Sequence, residues 1–203
     1  MSAREVPTPL GPARVNVVAP AGAVRGTLVL GHGAGGGVQS ADLAAVAGSA
    51  AAAGWQVLLV DQPWRVAGKR IAPAPPRLDE GWTAVLADLR EELTGPLVLG
   101  GRSAGARVAC RTAAAHGAAG VLALAFPLHP PGRPEKSRAA ELLAVDVPLL
   151  VVQGETDAFG GPAEVEAALA GHAGVVHAVP GDHALRKDPA AVATAAVTWL
   201  RDL

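Results

Sequence analysis

The sequence predicts an α/β fold in which a mostly parallel sheet is covered by helices on both faces. Three observations carry this reading. Short apolar runs alternate with segments of helical spacing along most of the chain. Two runs, Leu28–Leu30 and Leu149–Val152, are continuously apolar, as strands buried on both sides are. The 203 residues are 50% hydrophobic and 17% charged, a composition that suits one globular domain, residues 1–203, with a substantial core. There is no internal repeat and no linker-like stretch.

In chain order, strands are expected at Arg14–Val18, Gly26–Leu30, Trp55–Val60, Leu97–Gly100, Gly120–Ala125, Pro148–Gln153 and Val175–Val179. Ala19 to Arg25, with Pro20 and Gly22, reads as the turn of an antiparallel hairpin between the first two. Helices are expected near Ala41–Ala53, Gly81–Leu93, Ser103–His116, Pro162–Ala170 and Pro189–Leu203. The second of these places Val85, Leu86, Leu89 and Leu93 on one stripe, which is ordinary core packing. Two proline-rich segments, Gln62–Asp79 and Phe126–Arg138, follow strands. Both belong at the carboxyl edge of the sheet, where open parallel sheets bind ligands.

The charge balance excludes some partners. With 17 basic and 18 acidic residues the formal net charge is −1, so no global field attracts nucleic acid or an anionic membrane. One cysteine, Cys110, permits no intramolecular disulfide and reads as an inert buried thiol. The N-terminus lacks the apolar core of a signal peptide, and no apolar stretch reaches membrane-spanning length. The expectation is a cytoplasmic protein with a small-molecule partner.

Chemistry concentrates at Gly-Gly-Arg-Ser-Ala-Gly-Ala, residues 100–106. Strand, G-x-S-x-G, helix is the context of a nucleophile elbow, in which a strained turn lifts the serine hydroxyl above the sheet. Gly101 and Gly105 occupy the positions where only very small residues fit. Ser103 needs a base and an orienting carboxylate to become nucleophilic. Asp157 follows the Pro148–Gln153 strand, and His183 follows the last strand, so Ser103, Asp157 and His183 are the expected triad. Glu155 is an alternative acid nearer the strand end, Asp182 reads as a turn cap, and His129 is a rival base that precedes Asp157. His116 and His172 read as helix-end residues and His177 as structural. The oxyanion donors are expected to be the N–H groups of Ala104 and of Ala34, with Gly33 as the alternative. Ala34 lies in the glycine-rich loop Gly31-His32-Gly33-Ala34-Gly35-Gly36-Gly37, which His32 would brace. That loop lacks both the P-loop signature and G-x-G-x-x-G spacing, which argues against a nucleotide site.

These motifs, with Phe-Pro-Leu-His-Pro-Pro-Gly-Arg-Pro-Glu-Lys at 126–136, resemble the α/β-hydrolase superfamily over nearly the whole chain. Within it the chain is similar to the small lidless dienelactone-hydrolase-like enzymes, and to the testis-expressed and NSL-complex-subunit-like branch. Dienelactone hydrolases proper use a cysteine where Ser103 stands. The resemblance implies an α/β-hydrolase fold without a lid domain, and with the expected triad the sequence reads as a serine hydrolase that cleaves small esters or thioesters through an acyl-enzyme. It needs no metal or organic cofactor. A non-catalytic scaffold, or a lactone or amide hydrolase, are the other readings. Expected substrate contacts are Trp64, Arg102, Leu128, His129 and Phe159. Arg102 either pairs with Asp61 or Glu155 or recognises an anionic substrate group. Stiff proline-rich loops predict a shallow open cleft lined by Trp64, Leu128 and Phe159, which favours short acyl groups.

Overall fold

The computed structural model describes residues 2–203. Eight strands form one sheet: β1 Ser2–Val6, β2 Ala13–Val18, β3 Gly26–Gly31, β4 Trp55–Asp61, β5 Leu97–Arg102, β6 Gly120–Leu124, β7 Leu149–Gly154 and β8 Val175–Val179. Their spatial order is 1-2-4-3-5-6-7-8. β1 and β2 run antiparallel to their neighbours, and every pairing from β4 through β8 is parallel. The helices are α1 Ala41–Ala52, α2 Pro63–Val66, α3 Pro75–Asp88, α4 Ala104–Thr112, α5 Ala139–Leu143, α6 Pro162–Ala168 and α7 Pro189–Leu200.

Period-two alternation divides the strand side chains between two cores. Val29, Leu58, Val60, Leu99, Val121 and Val151 pack beneath α3 and α4. Leu28, Leu30, Val57, Leu59, Leu122 and Val152 pack beneath α1 and α7. Both faces of the central strands are therefore apolar, which is why those runs are uninterrupted in the sequence.

The structure departs from expectation in four places. The hairpin does not form: β2 pairs with β4, and β3 lies between β4 and β5. β3 is wholly buried, so it takes the central place that two parallel neighbours offer. β1 was not expected, because four of its five residues are exposed and it lacks an apolar face. Helix α3 starts at Pro75, inside the segment read as a proline-rich loop, because proline at the first helical position forfeits no hydrogen bond. The helix after Ser103 also ends its α-helical part at Thr112 and continues as a 3₁₀ turn over Ala114–His116.

The carboxyl edge carries the backbone strain. Among the described residues three non-glycine residues have positive φ, namely Ser103 (53°), Ala125 (45°) and Leu185 (51°). They follow β5, β6 and β8 in turn. Such conformations cost on the order of 1–3 kcal/mol each and gather where side chains must be aimed.

Candidate active site

Ser103 sits between β5 and α4 with φ 53° and ψ −109°. Its N–H donates to the Leu124 carbonyl at 2.9 Å, and its carbonyl accepts from Arg107 N–H at 3.1 Å. The turn closes because β3 and α4 touch backbone to backbone. A Cβ at Gly101 or Gly105 would collide with the Gly31 carbonyl, and Gly101 itself has φ 155°. Glycine at both positions is thus a steric condition of the strained serine.

Two loops bring the partners in. The Ser103 hydroxyl donates to His183 Nε2 at 2.9 Å. His183 Nδ1–H donates to Asp157 Oδ2 at 2.8 Å. With a carboxylate on one side of the ring, the proton belongs on Nδ1 and Nε2 is left as acceptor. The Asp157 side chain is fully buried, and that of His183 is 19% exposed. Phe159 lies against the imidazole, ring centroids 4.2 Å apart. The structure thus brings Ser103, Asp157 and His183 into one hydrogen-bonded line.

Asp157 is held from behind. Its Oδ1 accepts the Phe159 N–H at 2.8 Å, and Oδ2 also accepts from Gln153 Nε2 at 2.9 Å. Gln153 is fully buried at the end of β7. Its Oε1 accepts the Phe126 N–H, which fixes the amide orientation, and its Nε2 also faces the carbonyls of Gly160 and Phe126. Sequence reasoning missed Gln153. The available signal was a single amide closing the run Leu-Leu-Val-Val-Gln at 149–153, since a polar side chain buried there requires partners.

The glycine loop follows β3. His32 braces it: Nδ1–H donates to the Gly33 carbonyl at 2.9 Å, and Nε2 accepts the Gln62 N–H at 3.1 Å. Burial lowers the His32 pKa, which suits a neutral ring with one donor and one acceptor. A Cβ on Gly33 would lie 3.4 Å from Ser103 Cβ, so the loop runs directly beside the serine. Ala34 follows Gly33 in this loop, and Ala104 opens α4, where no helical carbonyl is available to its N–H.

The other expected residues are placed as follows. Arg102 contacts neither Asp61 nor Glu155. Its Nε lies 3.4 Å from Asp42 of α1, and its Nη2 donates to the His183 carbonyl at 3.1 Å. The helix-borne Asp42 was overlooked because acids in a first helical turn are commonplace. His129 is no base for Ser103, since its Nε2 is 3.0 Å from Glu164 and its Nδ1 3.0 Å from the Pro130 carbonyl. Leu128 and Trp64 are 5% and 6% exposed and belong to the core, so they do not line an open cleft together with Phe159. Trp64 packs on His32, ring centroids 5.4 Å apart. It borders a cavity of about 10 Å³ that reaches Ala104 and Gly105, and a separate one of about 100 Å³ lined by Pro63, Lys69, Ile71, Pro73 and Arg77. Asp182 caps its turn by accepting the Ala184 N–H, and Glu155 is exposed. His172 binds the Val145 carbonyl and His116 binds Thr83. Cys110 is buried in α4, and burial pushes its thiol up to about 12. Among the described residues no cluster of three or more His, Cys, Asp or Glu side chains is arranged to hold a metal ion. No helix among them is long and apolar enough to cross a membrane.

Comparison with known proteins agrees with this architecture. A family model described as an alpha/beta hydrolase domain matches residues 24–200. Among solved structures, an alpha/beta serine hydrolase without lid from Xanthomonas campestris superposes with a TM-score of 0.81 at 22% identity, covering 99% of this chain and 94% of that one. Est1E from Butyrivibrio proteoclasticus gives 0.83 at 14% identity, covering 100% and 98%. A dienelactone hydrolase from Anabaena variabilis gives 0.73 at 21% identity, covering 99% and 96%. No curated protein matches the chain.

Proposed function

The chain belongs to the alpha/beta hydrolase family, and on that premise we propose that it is a serine hydrolase cleaving small esters or thioesters by acyl transfer to water. The observation that carries this is the unbroken line from buried Asp157 through His183 to Ser103, with contacts of 2.8 and 2.9 Å, ending on a serine held at positive φ.

Ser103 Oγ attacks the substrate carbonyl carbon as His183 Nε2 takes the hydroxyl proton. Asp157 keeps the ring oriented and stabilises the imidazolium that forms. The carbonyl oxygen becomes an oxyanion beside the N–H groups of Ala104 and Ala34. Collapse expels the alkoxide or thiolate, which receives the proton from His183 and leaves an acyl-Ser103 ester. Water then attacks the acyl carbon as His183 takes its proton; the intermediate collapses, the acyl–Oγ bond breaks, Ser103 Oγ recovers the proton from His183 and the acid departs. This chemistry uses side chains and backbone alone. Within the family we place the chain nearest the dienelactone-hydrolase-like and NSL-complex-subunit-like groups. We read residues 1–203 as one domain acting in the cytoplasm on a small-molecule substrate.

Short acyl groups are the expected substrates. The cavity beside Ala104 measures about 10 Å³, room for about one water, so no deep acyl tunnel opens there. The neighbouring loop is pinned by Arg138 to the Pro127 carbonyl and by His129 to Glu164, which opposes a large rearrangement. Each methylene left in water forfeits about 0.8 kcal/mol. The test is fluorophosphonate labelling followed by kcat/KM against p-nitrophenyl esters of increasing length. Labelling of wild type but not Ser103→Ala, with acetyl to butyryl esters cleaved best, is the expected result. A wild type that neither labels nor cleaves any ester, thioester or lactone would leave a non-catalytic scaffold.

A further inference from the structure

The residue before the nucleophile carries a long cation into an almost closed space. The Arg102 side chain is 12% exposed and that of Asp42 is fully buried. Neither Asp42 oxygen has a hydrogen-bond partner, and Arg102 Nε has none either, so the 3.4 Å approach is an ion pair without hydrogen-bond geometry. A buried carboxylate so poorly satisfied is costly unless a cation stays beside it. Asp42 lies in the first turn of α1 and cannot follow Arg102 elsewhere.

From that anchor the guanidinium reaches toward two loops of the site. Nη2 donates to the backbone carbonyl of His183 at 3.1 Å. Nη1 passes under the glycine loop, 3.5 Å from where a Gly33 Cβ would stand and 3.9 Å from that of Gly36. One planar group thus bonds to the loop bearing the base and lies close beside the glycine loop, and its own backbone leads into Ser103.

We propose that Arg102 is a positioning residue that holds the His183 loop and the Gly33–Gly36 loop in register around Ser103, with Asp42 as its buried anchor. The proposal rests on the triad reading above. His183 needs this because its own loop is strained, with Leu185 at φ 51° two residues on. A displacement of 1 Å between base and nucleophile can cost on the order of 100-fold in rate.

The experiment compares wild type, Arg102→Lys, Arg102→Met, Asp42→Asn and the double variant Asp42→Leu/Arg102→Met. Readouts are kcat and KM on p-nitrophenyl acetate and on a p-nitrophenyl ester carrying a carboxylate, the rate of fluorophosphonate labelling, and thermal melting. Arg102→Met should lose about 10–100-fold in kcat and in labelling rate, with KM within about threefold. Arg102→Lys should recover part of the loss, and Asp42→Asn should show a smaller one. The double variant removes both buried charges, so a purely structural pair would be relieved by it in melting and in rate. Positioning predicts that melting recovers while kcat stays low. Should Arg102→Met fail to fold, the double variant and Asp42→Asn carry the test. Undiminished kcat in any folded variant lacking Arg102 overturns the proposal, as does undiminished kcat in Asp42→Asn when no such variant folds. So does a loss confined to KM for anionic esters, which would make Arg102 a substrate contact. If wild type itself does not label, the triad reading falls and this one falls with it. If wild type labels and Ser103→Ala does not, the outcome with the Arg102 variants judges this proposal alone.

Discussion

Two polar clusters flank α4 and are built in opposite ways. Along its length Arg107 and Arg111 make paired, short contacts with carboxylates: Arg107 to Glu141 at 2.8 and 2.6 Å, and Arg111 to Asp79 at 2.8 and 2.6 Å. Arg111 also reaches Glu141 at 3.1 Å, which ties α3, α4 and α5 together. At the start of the same helix, Asp157, His183 and Ser103 form a single file. Guanidinium holds its protons at any physiological pH, so the first cluster is a fixed brace. Imidazole between a carboxylate and a hydroxyl can gain and lose a proton, so the second can do chemistry. Similar charged groups serve architecture where every proton is committed and reactivity where one is free to move.

The comparison breaks most visibly at the proposed triad. His183→Ala and Ser103→Ala should each lower kcat on a short activated ester by about 10³–10⁶-fold. Thermal melting should change little, because Asp157 keeps the Gln153 and Phe159 donors in the first variant and alanine carries the same positive φ as Ser103 in the second. Residual activity near wild type would remove Ser103 or His183 from the mechanism. Asp157→Asn should be severe as well, whereas Glu155→Gln and Asp182→Asn should leave the rate within a few-fold.

A smaller effect is expected one step behind. Gln153→Met keeps the volume but takes one donor from Asp157 and leaves the Phe126 N–H without its acceptor. Hydrogen bonds to charged groups are worth about 1.5–3 kcal/mol, so kcat should fall about 10–100-fold if the whole contribution acts on the transition state. Melting should fall too, which separates this variant from His183→Ala. An unaltered kcat in folded protein would show that Phe159 N–H alone orients Asp157.

The brace should respond in the other direction. Burial pushes the Glu141 carboxyl up, but Arg107 and Arg111 outweigh it and hold its pKa below the ordinary value. Glu141→Gln should therefore destabilise by roughly 1–3 kcal/mol, seen as a lower Tm, with kcat on p-nitrophenyl acetate unchanged. A comparable fall in kcat at temperatures well below melting would mean that the brace also sets the elbow.

What was readable in the sequence follows the same division. Ser103, Asp157 and His183 were legible because each must stand just past a strand, and strand ends are marked by apolar runs stopping at glycine or a turn. Gly101 and Gly105 were legible because their role is steric and local. The hairpin failed because adjacency in sequence says nothing about which strand a wholly apolar run will join. β3 and β4 are almost wholly buried and take the centre, whereas β2, only half buried, is left to the outer part of the sheet between β4 and the exposed β1. Arg102 with Asp42 and Gln153 with Asp157 were illegible for a further reason. Each depends on a partner fixed only when helices and loops pack, across 60 residues in the first case.

The smallest effect probes a pair that lies between the two types. His129 and Glu164 tie the segment after β6 to α6 at 3.0 Å, and this pair does hold a titrating ring. The Pro130 carbonyl, then Glu164, raise the His129 pKa above 6.5. The Gly161 N–H, then His129, lower that of Glu164 below 4.5. The raised histidine contributes stability that is complete below pH 6.5 and is lost as pH climbs through its folded value. The lowered glutamate contributes stability that is complete above pH 4.5 and is lost as pH falls through its folded value. The pair therefore stabilises most between pH 4.5 and 6.5. Glu164 is 55% exposed, so solvent screening keeps the contribution at or below about 1 kcal/mol. Glu164→Gln should lower Tm slightly within that window, and the difference should shrink above it and in high salt, with kcat unchanged throughout. A Tm difference that stays flat from acid to alkaline pH would show that the contact is a neutral hydrogen bond and a brace like the cluster on α4.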